Sequence, residues 1–507
     1  VSSPQLFSPS SAAPDGNGLF CHDLPTRPLR GAGKVLVTGA SGYIGGRLVP
    51  ELLARGYQVR TMVRAGANAC TLRWPDAEPV EADALNPESL RKAFTGVHTA
   101  YYLIHSLLLG PRGFAEADRR SAIHFRDAAA WSGVSRIIYL GGLGDRQTSK
   151  SRHLQARMQV ADELKQGPVP VTILRAAIII GSGSASYEII RHLVSRLPVL
   201  FIPRWARTRC QPIAVRDVIK YLVGLLETPQ TEGMDLDIGG PEILTYELML
   251  KTFAEVIHKK ILFPSAPVSY LPIYAYLASL LTPVPAPITL SLMEGLKDEV
   301  VCRNNDIRRL IPFDPLTYRE AVVRALTREE QDRVYTRWSD AYPPDCELAM
   351  KLSELENSPL YSVTYSIISR KPSQALFRAV CRVGGKQGWF HNNWMWRVRG
   401  SLDRVFFGVG SQRGRKSASR LNINDVIDFW RVEDLRENER LLLRSEMKLP
   451  GRAWLEFHLH EEGDRRRLSV TAHFDARGRV GKIYWYLFWP FHHSIFQGLI
   501  QQIEQRA

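Results

Sequence analysis

The segment Lys34–Thr38 (KVLVT) is a short β-branched run that passes directly into Gly39-Ala-Ser-Gly42-Tyr-Ile-Gly45. Residues 47–55 (RLVPELLAR) follow, with Leu48, Leu52 and Leu53 on one helical face. Residues 58–64 (QVRTMVR) read as a second strand. Strand, glycine-rich turn, helix and strand make a βαβ unit, which commits the chain to parallel pairing. The pattern continues, with strands expected at 97–104, 136–140 and 169–180 and helices at 121–132 and 151–165. Near-continuous apolar strands are buried on both faces, so helices must cover the sheet. The expected fold class is α/β and doubly wound.

The glycine spacing carries chemistry. Gly39 allows a tight strand-to-helix turn, Gly42 lets backbone approach a pyrophosphate, and Gly45 lets helix and strand pack closely. Backbone N–H groups and the helix N-terminus then face the phosphate charge. Gly39, Ser41, Gly42, Tyr43, Ile44 and Gly45 are therefore the expected phosphate loop. At the end of the second strand an NAD-selective site carries an acid for the ribose hydroxyls. This chain has Val63-Arg64 there, and a guanidinium pairs with a 2′-phosphate. NADP(H) is expected over NAD(H), unless Arg64 is only an exposed loop residue. Asp83, followed by Ala84, comes after the third expected strand, where a carboxylate can accept a hydrogen bond from the adenine amine.

These residues resemble the short-chain dehydrogenase/reductase superfamily in its extended, atypical branch. Residues 38–45 (TGASGYIG) match that branch's TGxxGxxG signature, Arg64 its NADP-type residue, and Asp83-Ala84 its adenine-side position. The resemblance spans about 34–335, with 171–181 (VTILRAAIIIG) in the place of a later family strand, and NmrA-like and complex-I-subunit-like members are the nearest in kind. It implies a Rossmann domain that binds NAD(P). One departure matters. Active members use Tyr-x-x-x-Lys as acid/base pair, and no such spacing occurs in this chain. The corresponding helix has His153-Leu-Gln-Ala-Arg157, and Gly141-Gly142 stands where a serine usually assists. His153 and Arg157, one turn apart, either replace the pair or form an exposed polar face. His105 follows the fourth strand, beside the nicotinamide half in such proteins, as a proton carrier, a ribose contact or a structural residue.

Near residue 340 the style changes. Pro343-Pro344 follows a polar helix expected at 327–340. Beyond it, alternating strands at 440–449, 453–461 and 467–474 are separated by Pro450-Gly451 and Gly463-Asp464 turns, and a helix is expected at 491–506. Residues 345–507 resemble a domain of unknown function often fused behind such reductase-like domains, with a START-like (SRPBCC) layout. That resemblance implies an α+β helix-grip fold holding a hydrophobic ligand. Seven of the 11 tryptophans lie in 380–507, and they either line such a cavity or fill a core. Glu446 and Glu456, with His458 nearby, are acid/base candidates if they face inward and solvated charges if they do not. The expected division is a loose tail (1–33), a Rossmann domain (34–335), a linker (336–344) and the second domain (345–507).

The 507 residues include 66 Lys+Arg against 51 Asp+Glu, a net charge of +15 that favours anionic partners. Nothing resembles a helix-turn-helix, an RNA-binding sheet motif or a zinc finger, so nucleic acid is not an expected partner. The basic loop 410–420 (GSQRGRKSASR) is either a phosphate or lipid contact or a solvated loop. Six scattered cysteines (21, 70, 210, 302, 346, 381) without metal spacing suit a reducing, cytoplasmic setting. The apolar stretch 273–296 is broken by Pro283, Pro285 and Pro287. A buried helix pair is expected there, and peripheral contact with a membrane is the alternative. Two functions stand: an NADP(H)-dependent oxidoreductase acting on a hydrophobic small molecule, or a non-catalytic NADP(H)-binding sensor or scaffold with a lipid-type ligand domain.

Overall fold

The computed structural model describes residues 19–507 apart from 30, 32, 65–72, 106–113, 146, 331–335, 342–349, 356–358, 391–392, 406–407, 411–412 and 417–420. Cys70, Cys346, Pro343-Pro344 and much of the basic loop 410–420 lie outside the described residues. Seven strands form one sheet: β1 (Lys34–Thr38), β2 (Val59–Val63), β3 (Glu78–Glu81), β4 (Val97–Tyr102), β5 (Arg136–Gly142), β6 (Val171–Ala176) and β7 (Asp235–Ile238). Their order is β7-β6-β5-β4-β1-β2-β3, with every pairing parallel. The strand order reverses between β1 and β4, and ligands bind in the crevice at such a switch point. The apolar run expected as one strand at 169–180 is divided, with β6 ending at Ala176 and a short strand at Ile179–Ile180.

The C-terminal sheet has six antiparallel strands: β8 (Tyr361–Ser369), β9 (Val426–Ile427), β10 (Trp430–Arg436), β11 (Arg440–Ser445), β12 (Gly451–Glu462) and β13 (Arg465–Ala476). Their order is β8-β13-β12-β11-β10-β9. Six helices matter below: α1 (Gly45–Ala54), α2 (Arg152–Lys165), α3 (Leu271–Leu281), α4 (Ala286–Glu294), α5 (Asn393–Val405) and α6 (Gly478–Arg506). Leu455, Phe457 and Leu459 of β12 pack with Phe496, Leu499, Ile500 and Ile503 of α6, so side chains fill the space between sheet and helix.

Several expectations require correction. The final helix begins at Gly478 rather than 491, and Pro490 lies inside it. Proline lacks the N–H that would bond the carbonyl of Tyr486, and Tyr486 is exposed, so water can satisfy that group. The polar helix expected at 327–340 is Tyr318–Glu330. The tail expected over 1–33 is packed in its later part. Phe20, Cys21 and Leu24 join the core under the sheet, Glu51 accepts from the Phe20 and Cys21 amides at 2.6 and 3.0 Å, and Lys220 pairs with Asp23 at 2.6 Å.

Residues 336–341 are not a free linker either. Thr336 and Ser339 are buried, and Arg431 of β10 donates to the Ser339 carbonyl at 2.8 Å. Arg404 of α5 donates to the carbonyls of Thr282 and Val284, the latter at 3.2 Å. Both domains are therefore joined through buried guanidinium groups.

The two glutamates proposed as acid/base groups are structural. Glu446 follows β11, is fully buried, and pairs with Arg413 at 2.6 Å and Arg431 at 2.5 Å. Burial acts to raise its pKa, but Arg431 and Arg413 outweigh it and hold the carboxyl below its ordinary value. Glu456 is held low first by the hydrogen bond from His473 and also by Arg440, on the sheet face away from α6. Removing Glu446 leaves two cations facing each other in the interior. Glu446→Ala is expected to cost about 3–5 kcal/mol, measured by denaturant unfolding of the full chain. A loss within ~0.5 kcal/mol would show that the triad is not a structural support.

Candidate functional site

Thr38, the last residue of β1, donates through Oγ1 to the Tyr101 carbonyl at 2.7 Å and accepts the Leu103 amide at 3.2 Å. This pins β1 to β4 at the switch point. The chain then turns through Gly39, whose φ of +63° suits glycine. A Cβ at Gly45 would lie 2.3 Å from the Gly39 carbonyl oxygen, so only glycine lets α1 start this close to the strand. Helix α1 has no side-chain cap and no acidic residue in its first turn, an arrangement that suits an anion at its N-terminus. Arg47, buried in α1, donates to the carbonyls of Tyr43 at 3.2 Å, Thr336 at 3.1 Å and Ser182 at 2.9 Å. The loop is thereby fixed to two other parts of the chain.

A cavity of about 1280 Å³ opens above these strand ends. The candidates named from the sequence in the first domain line it, namely Gly39, Ser41, Gly42, Tyr43, Ile44, Gly45, Arg64, Asp83, Ala84, His105, His153 and Arg157, whereas Glu446, Glu456 and His458 of the second domain do not. Asp83 is held in place locally. Its Oδ1 accepts the Leu85 amide at 2.9 Å, and Ser89 Oγ donates to its carbonyl at 3.1 Å. The residues present suit an NAD(P)H: an uncapped helix start, glycines at the turn, Arg64 beyond β2 and Asp83-Ala84 beyond β3.

The alternative that His153 and Arg157 form an exposed polar face does not hold. Ser151 caps α2 by accepting the Leu154 amide at 3.4 Å, and His153 and Arg157, in the first two turns, face the cavity. Arg157 is buried and donates to the carbonyls of Leu140 and Ile104, the latter at 3.3 Å, with its guanidinium over the Tyr139 ring. His105 and His153 stack with ring centroids 5.1 Å apart. Enclosure, then the charge of Arg157, pushes His153 down to about 3. For His105, whose side chain is about a third exposed at the cavity mouth, desolvation by the surrounding protein, then Arg157 and His153, hold the ring below the ordinary imidazole value. The Asp118 carboxylate, 4.0 Å from His105 Nδ1, pulls the other way. We take the His105 ring as neutral, because Arg157 and the stacked imidazole sit against it. Near neutral pH both rings are hydrogen-bonding groups without charge.

Gly141 and Gly142 also line the cavity, and a Cβ at Gly142 would come within 3.0 Å of Leu154 Cδ2. A side chain at Gly142 would therefore need Leu154 to shift slightly.

The sequence did not point to the far end of the cavity. Ile190, Leu193, Leu200, Trp205, Leu292 and Met293 line it, together with Tyr274 and Leu281 of α3. These residues are scattered over a hundred positions, and no local spacing unites them. The expected helix pair at 273–296 is α3 and α4, whose inner faces wall this compartment. The C-terminal domain adds Lys351, Asn424, Arg431, Glu433 and Arg444 to the same cavity. Leu352 donates its amide to Glu433 at 2.7 Å, and Arg444 lies 3.8 Å from that carboxylate.

The unfolded chain protonates His153 near its ordinary pKa of 6.5, whereas the folded chain does so only at about 3. Between these values the unfolded state binds more protons, so stability falls as the pH falls and is flat with respect to this group above 6.5. Thermal unfolding followed from neutral to mildly acidic pH is expected to fall less steeply in His153→Asn, by at most ~1.4 kcal/mol per pH unit. Identical slopes would mean that His153 is not held neutral.

Residues 39–196 match the family described as NAD(P)H-binding, and residues 359–499 match that described as protein of unknown function (DUF2867). The chain is 28% identical over 141 residues to the photosystem II assembly factor Ycf39 of Cyanophora paradoxa, covering 28% of this chain and 44% of that one. It is 29% identical over 202 residues to the ceramide reductase of Caulobacter vibrioides, covering 39% and 62%. The matched regions thus span less than two thirds of these relatives. Among solved structures, triphenylmethane reductase of Citrobacter sp., complexed with NADP(H), aligns at 21% identity and a TM-score of 0.49, covering 58% of this chain and 99% of that one. The NAD(P)H-binding match thus falls on the parallel sheet that carries the glycine loop, and the DUF2867 match on the C-terminal antiparallel sheet.

Proposed function

We propose that the protein is an NADP(H)-dependent oxidoreductase acting on an apolar small molecule. The observation that carries this reading is the continuity of the cavity: one space of about 1280 Å³ runs from the glycine loop to a compartment walled by aliphatic and aromatic side chains. Apolar walls exclude water and favour a ligand of like character. A relative named ceramide reductase, an enzyme whose name specifies an apolar substrate, supports the same class. The preference for the phosphorylated cofactor rests on Arg64, which lines the cavity beyond β2.

A bound nicotinamide supplies hydride. The chain's own groups do the rest. His105 and His153, neutral and stacked at the cavity wall, can offer an N–H to an oxygen gaining charge. Nδ1 of His153 is buried and has no hydrogen-bond partner among the described residues. Arg157, engaged with two backbone carbonyls, is a positioning residue for both rings. In this reading the C-terminal domain closes the cavity from outside, and the space between its own antiparallel sheet and final helix is core.

A second reading, a sensor that binds NADP(H) without turnover, is favoured by the absence of Tyr-x-x-x-Lys and by Gly141-Gly142. NADPH oxidation by the full chain, followed with long-chain ketones, enones and quinones, separates the two. Turnover with any of these classes is expected; tight NADPH binding with no oxidation would favour the sensor. Gly42→Val should abolish both binding and turnover in a folded protein, because the added side chain occupies the pyrophosphate space. Arg64→Ala is expected to weaken NADPH binding by about 10- to 150-fold, equivalent to roughly 1.5–3 kcal/mol, and to leave NADH binding little changed. Equal losses for both cofactors would remove Arg64 as the selector.

A further inference from the structure

Three helices from the two domains meet on one side of the molecule and leave their outer faces apolar. Tyr270, Ile273 and Leu277 are exposed at and along α3. On α5, Trp394, Val398 and Leu402 are exposed. On the first half of α6, Val480, Ile483 and Leu487 recur at helical spacing, and Ile483 and Leu487 are 67% and 64% exposed. The helices are neighbours. Tyr276 of α3 donates to the Val405 carbonyl of α5 at 3.4 Å, and Arg399 of α5 donates to Tyr484 Oη of α6 at 3.2 Å.

Charge on this side has one sign. Residues 267–293 contain no charged side chain, and residues 478–503 contain only Arg479 and Lys482, both exposed. Helix α5 contributes exposed Arg397, and its single acid, Asp403, is buried. Apolar and aromatic side chains edged by cations, with no exposed acid among them, match the interface of an anionic lipid leaflet. Another protein would be expected to meet a surface of this size with some polar partners of its own. Among the described residues no helix is long and apolar enough to cross a membrane, so the geometry is one of lying on the surface.

The cavity reaches the same side. Leu277 and Phe201 both line it and are about half exposed, at 49% and 54%. We propose that the α3–α5–α6 face docks on an anionic membrane surface and that the apolar ligand enters the cavity from the lipid past Leu277. The entry step rests on the oxidoreductase reading; the docking does not.

Flotation of the full-length protein with vesicles tests the docking. Phosphatidylcholine vesicles containing a minority of phosphatidylglycerol are expected to carry the protein upward, and pure phosphatidylcholine vesicles to carry less. Ile483→Glu with Leu487→Glu should reduce the floated fraction about tenfold. Arg479→Glu with Lys482→Glu should reduce it on the anionic vesicles only, while Leu248→Glu, on an exposed site of the helix Tyr246–Val256, should float as the parent does. NADPH titration of each variant reports that it is folded. The proposal is overturned if the parent does not float, or if Ile483→Glu/Leu487→Glu floats equally well. It is also overturned if light scattering shows a dimer that this double variant splits, because the face then belongs to a second copy. Flotation without NADPH turnover on any apolar substrate would sink the oxidoreductase reading and leave the docking intact.

Discussion

The buried guanidinium of Arg47 holds the site together. It reaches the carbonyl of Tyr43 in the glycine loop, that of Ser182 beyond β6, and that of Thr336 in the strap between the domains. Thr336 returns a hydrogen bond to the Tyr43 carbonyl at 2.8 Å. A backbone carbonyl buried without a donor is costly, and one rigid fork satisfies three of them. The loop that faces the dinucleotide is thus fixed by the same group that anchors the connection to the C-terminal domain. A lysine could not reproduce this, because its single ammonium lacks the planar spread of donors.

What was legible in the sequence was what depends on neighbours along the chain. The glycine triplet, the strand before it and the helix after it are a local pattern, and the structure brings all twelve residues named from such patterns to one cavity. Three of the six antiparallel strands, β11 to β13, were equally visible, because turn dipeptides and alternating polarity mark them. The apolar end of the cavity was not, since it assembles Ile190, Trp205, Tyr274 and Met293 from four separate segments. Local signals also misled where tertiary context overruled them. A helix is expected from 491, yet it begins at Gly478 and passes through Pro490, with Tyr486 one turn earlier exposed. The Ser- and Pro-rich beginning reads as loose, yet Phe20 and Leu24 are drawn into the core because Glu51 satisfies the local backbone. Glu446 reads as an acid near an apolar interior, but only the folded chain shows the two arginines that keep it ionised.

The chemistry of the site follows from enclosure more than from any single charge. Desolvation first, and then the nearby charge of Arg157, hold the two histidines neutral, while Arg157 itself donates to the carbonyls of Ile104 and Leu140. A site of this kind is poor at delivering a proton from a charged acid. It is suited to orienting a neutral ligand beside a reducing cofactor, with polarisation coming from fixed dipoles.

Because the cavity wall is drawn from both domains, a ligand that touched both would link its own binding to the contact between them. Arg431 both lines the cavity and grips the strap at Ser339. A molecule that touched both walls at once and had no affinity for separated domains would add RT ln(1 + [L]/Kd) to the free energy of keeping them together. By the same reciprocity, whatever presses the C-terminal domain into place raises the affinity for the ligand beneath it by an equal factor. For a ligand that spanned both walls, the second domain would act as a thermodynamic lever on the first, whether or not it performed any chemistry of its own.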